Sequence, residues 1–214
     1  MTAQDKAAAK SKGGRPYPPD DIQEDVYLTI RPAYELEEWV NQTILSSDGA
    51  LYNPDHAHLL DASIRFLWAS ESFNKQGRRV LGQAEEVAFR SGGWQKARQE
   101  QQMREWFDYV PEFVITLAAD YCSQCTDAEF CALVEHELYH IGHSQDEFGS
   151  PKFIKEGLPK LAIRGHDVEE FIGVVRRYGA SADVARMVDT AKQAPEVEGI
   201  NISRACGTCL LRAA

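Results

Sequence analysis

The sequence predicts a mixed fold in which several helices and a few strands share one core, and three observations carry that prediction. Residues 112–119, EFVITLAA, form a near-continuous apolar run of strand length. Directly after it, residues 126–143 place Phe130, Leu133, Val134, Leu138 and Ile141 at helical spacing behind a capping box, Thr126 followed three residues later by Glu129. Finally, 214 residues with 43% hydrophobic and 26% charged content suffice for one globular domain with a substantial core.

In chain order, residues 1–20 mix Ala, Lys, Gly and Pro without periodicity and read as a disordered tail, its basic cluster Lys10, Lys12 and Arg15 solvated. The folded domain is expected over 21–195. Pro32 suits the first turn of a helix reaching about residue 45, with Leu36, Trp39, Val40 and Ile44 on its buried face. Residues 46–54 are a loop, and His56 and His58, which lack a partner at a recognisable spacing, read as surface or capping residues. Residues 64–69 and 79–87 read as strands joined through a turn at 75–77 into a hairpin, and residues 94–107 as a helix with a polar middle. The 112–119 run reads as a central strand. Residues 149–165, punctuated by Gly and Pro, read as loop with at most short elements, and a further helix is expected from His166 to a stop at Gly179, with Val168, Phe171, Ile172 and Val175 inward. Residues 196–214 form a cysteine-containing tail.

The net charge of −10 argues against a general nucleic-acid binder. No apolar run is long enough for a membrane span, and the N-terminus lacks the hydrophobic segment of a secretion signal. With five cysteines, an odd number, the expectation is a reducing cytoplasm rather than a disulfide framework.

Chemistry concentrates in His136-Glu137-Leu138-Tyr139-His140, an HExxH pattern. On a helix, positions four apart stack, so the two imidazoles can share one zinc ion while Glu137, offset by one residue, can reach a water on that ion. A catalytic zinc needs a third protein ligand and an open position. His166 is favoured. Glu169 is the main rival, or a group that orients the ligating imidazole together with Glu170; Glu170 and His143 are further alternatives, the last requiring a sharp bend at Gly142.

Together the HELYHIGH stretch, the later GHDVEEF, the closing RRYG and the strand ahead of the motif resemble the metallopeptidases of phages and prophages, a branch of the minimal zincins, over roughly 21–191. The resemblance implies an α+β fold, a small twisted sheet packed against the HExxH helix with flanking helices, and peptidase activity on a peptide or protein substrate. In the expected chemistry Glu137 is general base and His136, His140 and His166 hold one catalytic zinc. Tyr178, His143, Tyr139 or Arg164 could supply a second oxyanion donor, and an extended substrate could add along the 79–87 strand. The alternative function is a catalytically silent zinc-binding regulatory or interaction protein on the same fold. A second, structural zinc on Cys122, Cys125, Cys206 and Cys209 is less favoured than reduced thiols, because the two CxxC pairs are far apart in sequence.

Overall fold

The computed structural model describes residues 14–24, 26–75, 77–154, 157–168 and 172–195, the last stretch without the side chains of 173, 174 and 177. Its centre is a four-stranded sheet in the order β1 (Ile30–Pro32), β2 (Ile64–Ala69), β6 (Phe113–Ala118), β5 (Gly82–Glu86). β2 and β6 are parallel, while β1 and β5 run antiparallel at the two edges. The central position of β6 follows from its composition. Phe113, Ile115 and Leu117 enter the main core while Val114, on the opposite face, packs with Leu67 and Phe107, so the strand is buried on both sides and reads as an unbroken apolar run.

The expected hairpin of residues 64–69 with residues 79–87 does not form. β3 (Phe73–Lys75) and β4 (Arg78–Val80) make their own two-stranded unit, and β6 lies between β2 and β5. Burial decides this, because β5 alternates polar side chains and tolerates an edge, whereas β2 and β6 are apolar on both faces and need the middle. Pro32 is likewise in β1 and not in a helix: it pairs with Leu67 at the sheet edge, where its missing N–H costs no ladder bond, and α1 (Tyr34–Val40) starts two residues later. Continued by a π-helical turn, Asn41–Leu45, α1 buries Leu36, Val40 and Ile44 and packs Trp39 against the core.

α2 (Gly93–Phe107) covers the other face of the sheet through Phe107, Met103 and Trp106. A short helix α3 (Ala119–Cys122) leads into α4 (Asp127–Tyr139), whose capping box is formed by Thr126 and Glu129 and whose Phe130, Leu133, Val134 and Leu138 are buried. The sheet therefore has α1 and α4 on one face and α2 on the other. The chain then forms a two-stranded ladder, β7 (Ile141–His143) with β8 (Leu161–Ile163), and ends in α5 (Ile172–Tyr178) and α6 (Ala182–Ala191). The sequence reading missed α6. No helix among the described residues is long and apolar enough to cross a membrane.

Arg15, placed by the sequence reading in a solvated tail, is instead only 6% exposed. Its guanidinium donates to the carbonyls of Cys122 at 2.8 Å and Cys125 at 2.5 Å and to Asp127 at 2.7 Å, and it lies against the Phe130 ring. These carbonyls lie at the end of α3 and in the turn that leads into α4, so a cation with several donors satisfies what the chain turn exposes. His56 also departs from expectation: it is fully buried with neither ring nitrogen hydrogen-bonded among the described residues. The Tyr139 ring packs against it, and the Pro54–Leu59 turn buries both His56 and Leu59 instead of capping a surface.

Candidate metal centre

α4 carries His136 and His140 one turn apart, and the chain leaves the helix at His140 to enter β7. Pairing of β7 with β8 then brings residues from beyond a long loop back to the helix end. Ile141 sits opposite Ile163, and Arg164 N donates to the His140 carbonyl at 2.8 Å. Two residues later His166 meets the helix pair. Its expected position in the first turn of a helix is not found: His166 lies in the connection after β8, and among the described residues the next helix is Ile172–Tyr178. Ile172, expected to face inward, is 76% exposed.

The three imidazoles converge. His140 Nε2 is 3.1 Å and His166 Nε2 is 3.3 Å from His136 Nε2, and the ligand atoms of all three lie within 4.8 Å of one another. Nitrogens bound to one tetrahedral ion at about 2.0–2.1 Å lie about 3.3 Å apart, so this spacing suits a shared metal. His140 Nδ1 is 2.9 Å from the Arg164 carbonyl. A carbonyl only accepts, so Nδ1 carries the proton and the Nε2 lone pair is left facing the group. The residues present thus fit a metal ion, and among the described residues this is the group of three that can hold one.

Glu137 is completely buried on the side of α4 that faces β5. Gly82 makes room for it, since a Cβ there would fall 2.6 Å from Glu137 Oε1. An isolated glycine within a strand is a sequence signal of such close approach, and it was the signal to follow here. Gly82→Ala is expected to push the carboxylate aside. Turnover should fall by about a hundredfold if the displacement reaches about 1 Å, with metal content unchanged, measured by steady-state kinetics and metal analysis.

His143 does not join the three histidines. Its ring lies 5.4 Å from that of His58 and 6.0 Å from that of Phe153. Tyr139 turns its hydroxyl to Asp55 and Asn53, each at 3.0 Å, and Arg164 Nε donates to the Tyr139 carbonyl at 2.8 Å. The Arg164 stem crosses Gly142, where a Cβ would come within 2.9 Å of Cδ. Tyr178 is 76% exposed. A cleft of about 950 Å³, bordered by Tyr139, His143, Arg164, Asp167 and Met187, opens beside the centre, although the three histidines themselves do not line it.

Cys122, Cys125 and Cys131 are free thiols. The hydrogen bond between the first two raises Cys122, with burial adding to the effect, and lowers Cys125. Glu169, Glu170, Cys206 and Cys209 lie outside the described residues.

His56 titrates far from its ordinary value. Burial, with smaller contributions from His58 and Arg164 against an opposing one from Asp55, lowers its pKa to about 4 from 6.5. Between those values the unfolded chain binds the proton and the folded chain does not, so stability falls as pH falls. The full shift corresponds to about 3 kcal/mol. Denaturant titrations at pH 7 and pH 4 should show that loss in the wild type, and His56→Phe should lack this component of it.

A mixed fold of small sheets and helices, with three imidazoles gathered at the end of one helix, defines a protein able to hold a metal ion. The chain belongs to the family described as "Putative phage metallopeptidase", whose model matches residues 37–192. That family's name places it among hydrolases of peptide bonds and implies a metal. No curated protein and no solved structure matches the chain.

Proposed function

We propose that the chain is a zinc-dependent peptidase in which His136, His140 and His166 hold the metal and Glu137 is the general base. The convergence of the three imidazoles, one ligand atom of each lying within 4.8 Å of the others, is the observation that carries the reading. The donor set supports zinc, because three neutral imidazoles on a borderline ion with one position left open are a common catalytic arrangement. When bound, zinc supplies Lewis acidity and lowers the pKa of water.

The chain's own residues supply the rest. The buried Glu137 takes the proton from the attacking water and returns it to the leaving amine. The His140 tautomer is held by the Arg164 carbonyl, which keeps its lone pair aimed inward. β5 is an edge strand of the sheet and carries Gly82 against Glu137, so an extended peptide added along β5 would pass beside the base. The cleft at Arg164 and Asp167 gives side chains of that peptide somewhere to go. The free thiols of Cys122, Cys125 and Cys131 accord with a reducing cytoplasm.

The test is cleavage of a peptide library by zinc-loaded protein against the same protein after chelation. Cleavage that disappears on chelation and returns with zinc supports the reading. Zinc binding with no cleavage of any peptide would leave a zinc-binding regulatory protein instead.

A further inference from the structure

The Asn53 to His58 stretch contributes no imidazole to the three-histidine group, yet it grips the helix that carries two of them. Asn53 Nδ2 donates to Tyr139 Oη at 3.0 Å, and Tyr139 Oη donates to Asp55 Oδ2 at 3.0 Å. The same amide faces the Glu135 carboxylate. Asn53 is itself fixed, because its Oδ1 accepts from Asp55 N at 3.0 Å and caps the Pro54–Leu59 turn. Farther along, the buried His56 ring packs against that of Tyr139 at 4.4 Å between centroids with the planes tilted by 60°, and His58 Nε2 lies 2.9 Å from the Ile141 carbonyl.

The positions gripped matter more than their number. Glu135 and Tyr139 are four apart and stack on one face of α4, and each immediately precedes one of the helix histidines, His136 and His140. One residue is a step of about 100° around the axis, so the contacts act on the face beside the one that presents the imidazoles. A hold placed there resists rotation of the helix about its axis. Nε2 of a helical histidine stands about 6 Å from that axis, so a rotation of about 10° carries it about 1 Å. Metal sites require ligand distances good to about 0.2 Å. A rotation that apolar side chains such as Leu133 and Leu138 could absorb by repacking would therefore spoil coordination.

We infer that Asn53, acting through Asp55 and Tyr139, is a positioning residue that fixes the rotation of α4 and thereby the aim of His136 and His140. This rests on reading the three histidines as a metal site. It gives the Asn53 to His58 stretch a role at a distance from the chemistry.

The experiment loads the full chain with cobalt(II), whose visible absorption reports coordination geometry, and compares wild type with Asn53→Ala, Tyr139→Phe and Arg15→Ala. Tyr139→Phe removes a single oxygen and keeps the ring on His56, so it guards against an Asn53 variant that does not fold. Both Asn53→Ala and Tyr139→Phe are expected to retain their far-ultraviolet circular dichroism, to change the cobalt spectrum and to bind the ion about ten- to a hundredfold more weakly. Arg15→Ala loosens the opposite end of the same helix and should lower the melting temperature while leaving spectrum and affinity at wild type. Folded Asn53→Ala and Tyr139→Phe proteins with wild-type spectrum and affinity would overturn the inference and leave the metal site standing. An equal cobalt effect in Arg15→Ala would overturn it too, in favour of general loosening. A wild-type chain that binds no cobalt would overturn the metal-site reading and this inference with it.

Discussion

His136→Ala, His140→Ala and His166→Ala each yield a folded chain whose metal content falls from about one ion towards zero. Removing one of three imidazoles leaves a two-ligand site open to water, and the affinity of a zinc site depends on the complete set. Folding should survive the loss of metal, because the core cluster around Phe130, Leu133 and Leu138 is formed by apolar side chains and none of the three histidines is part of it. Metal analysis after dialysis against dilute chelator reads the result. Full occupancy in His136→Ala or His140→Ala would show that the ion sits elsewhere. Retention in His166→Ala with loss in Glu169→Ala would move the third ligand to the carboxylate.

Glu137→Gln is the complementary case, with metal kept and chemistry lost. The amide matches the carboxylate in shape, so the buried position beside Gly82 remains filled, but it cannot accept a proton at neutral pH. Turnover is expected to drop by about a hundredfold to ten-thousandfold while metal content and melting temperature stay close to wild type. Unchanged turnover in that variant would remove Glu137 from the mechanism.

What could be read from the sequence was local. The capping box at Thr126, the apolar stripe of α4 as far as Leu138 and the strand at residues 113–118 are set by spacing within one segment and appear where their patterns lie, whereas Ile141, which the same spacing assigns to the helix with an end at Gly142, instead begins β7 because α4 stops at Tyr139. The pairing of β2 with β6 is a contact between distant segments, and no turn chemistry marks a parallel partner, so a hairpin with the nearer β5 looked natural. Pro32 misled for a related reason: its fixed φ suits a first helical turn and an edge strand alike, and only the neighbouring strand decides. At the site, HExxH was plain because four-residue spacing on a helix has one geometric meaning. Gly82 and Asn53 were not, since each matters only through a side chain from another part of the chain. His56 was misjudged because a lone histidine carries no spacing that reveals burial.

The β7–β8 ladder has a consequence for how the protein assembles. His166 lies 30 residues from His136, and in an unpaired chain closing a loop of that length carries an entropic cost of about 3 kcal/mol before any contact is made. In the folded chain the pairing of Ile141 with Ile163 meets that cost in advance, so the third imidazole waits at a high effective concentration beside the other two. On the proposed reading, an ion that needs all three would bind the native chain far better than the unfolded one, and its free concentration would act as a thermostat on the fold: raising it would shift the melting point upward by mass action, and scarcity would let this end of α4 open first.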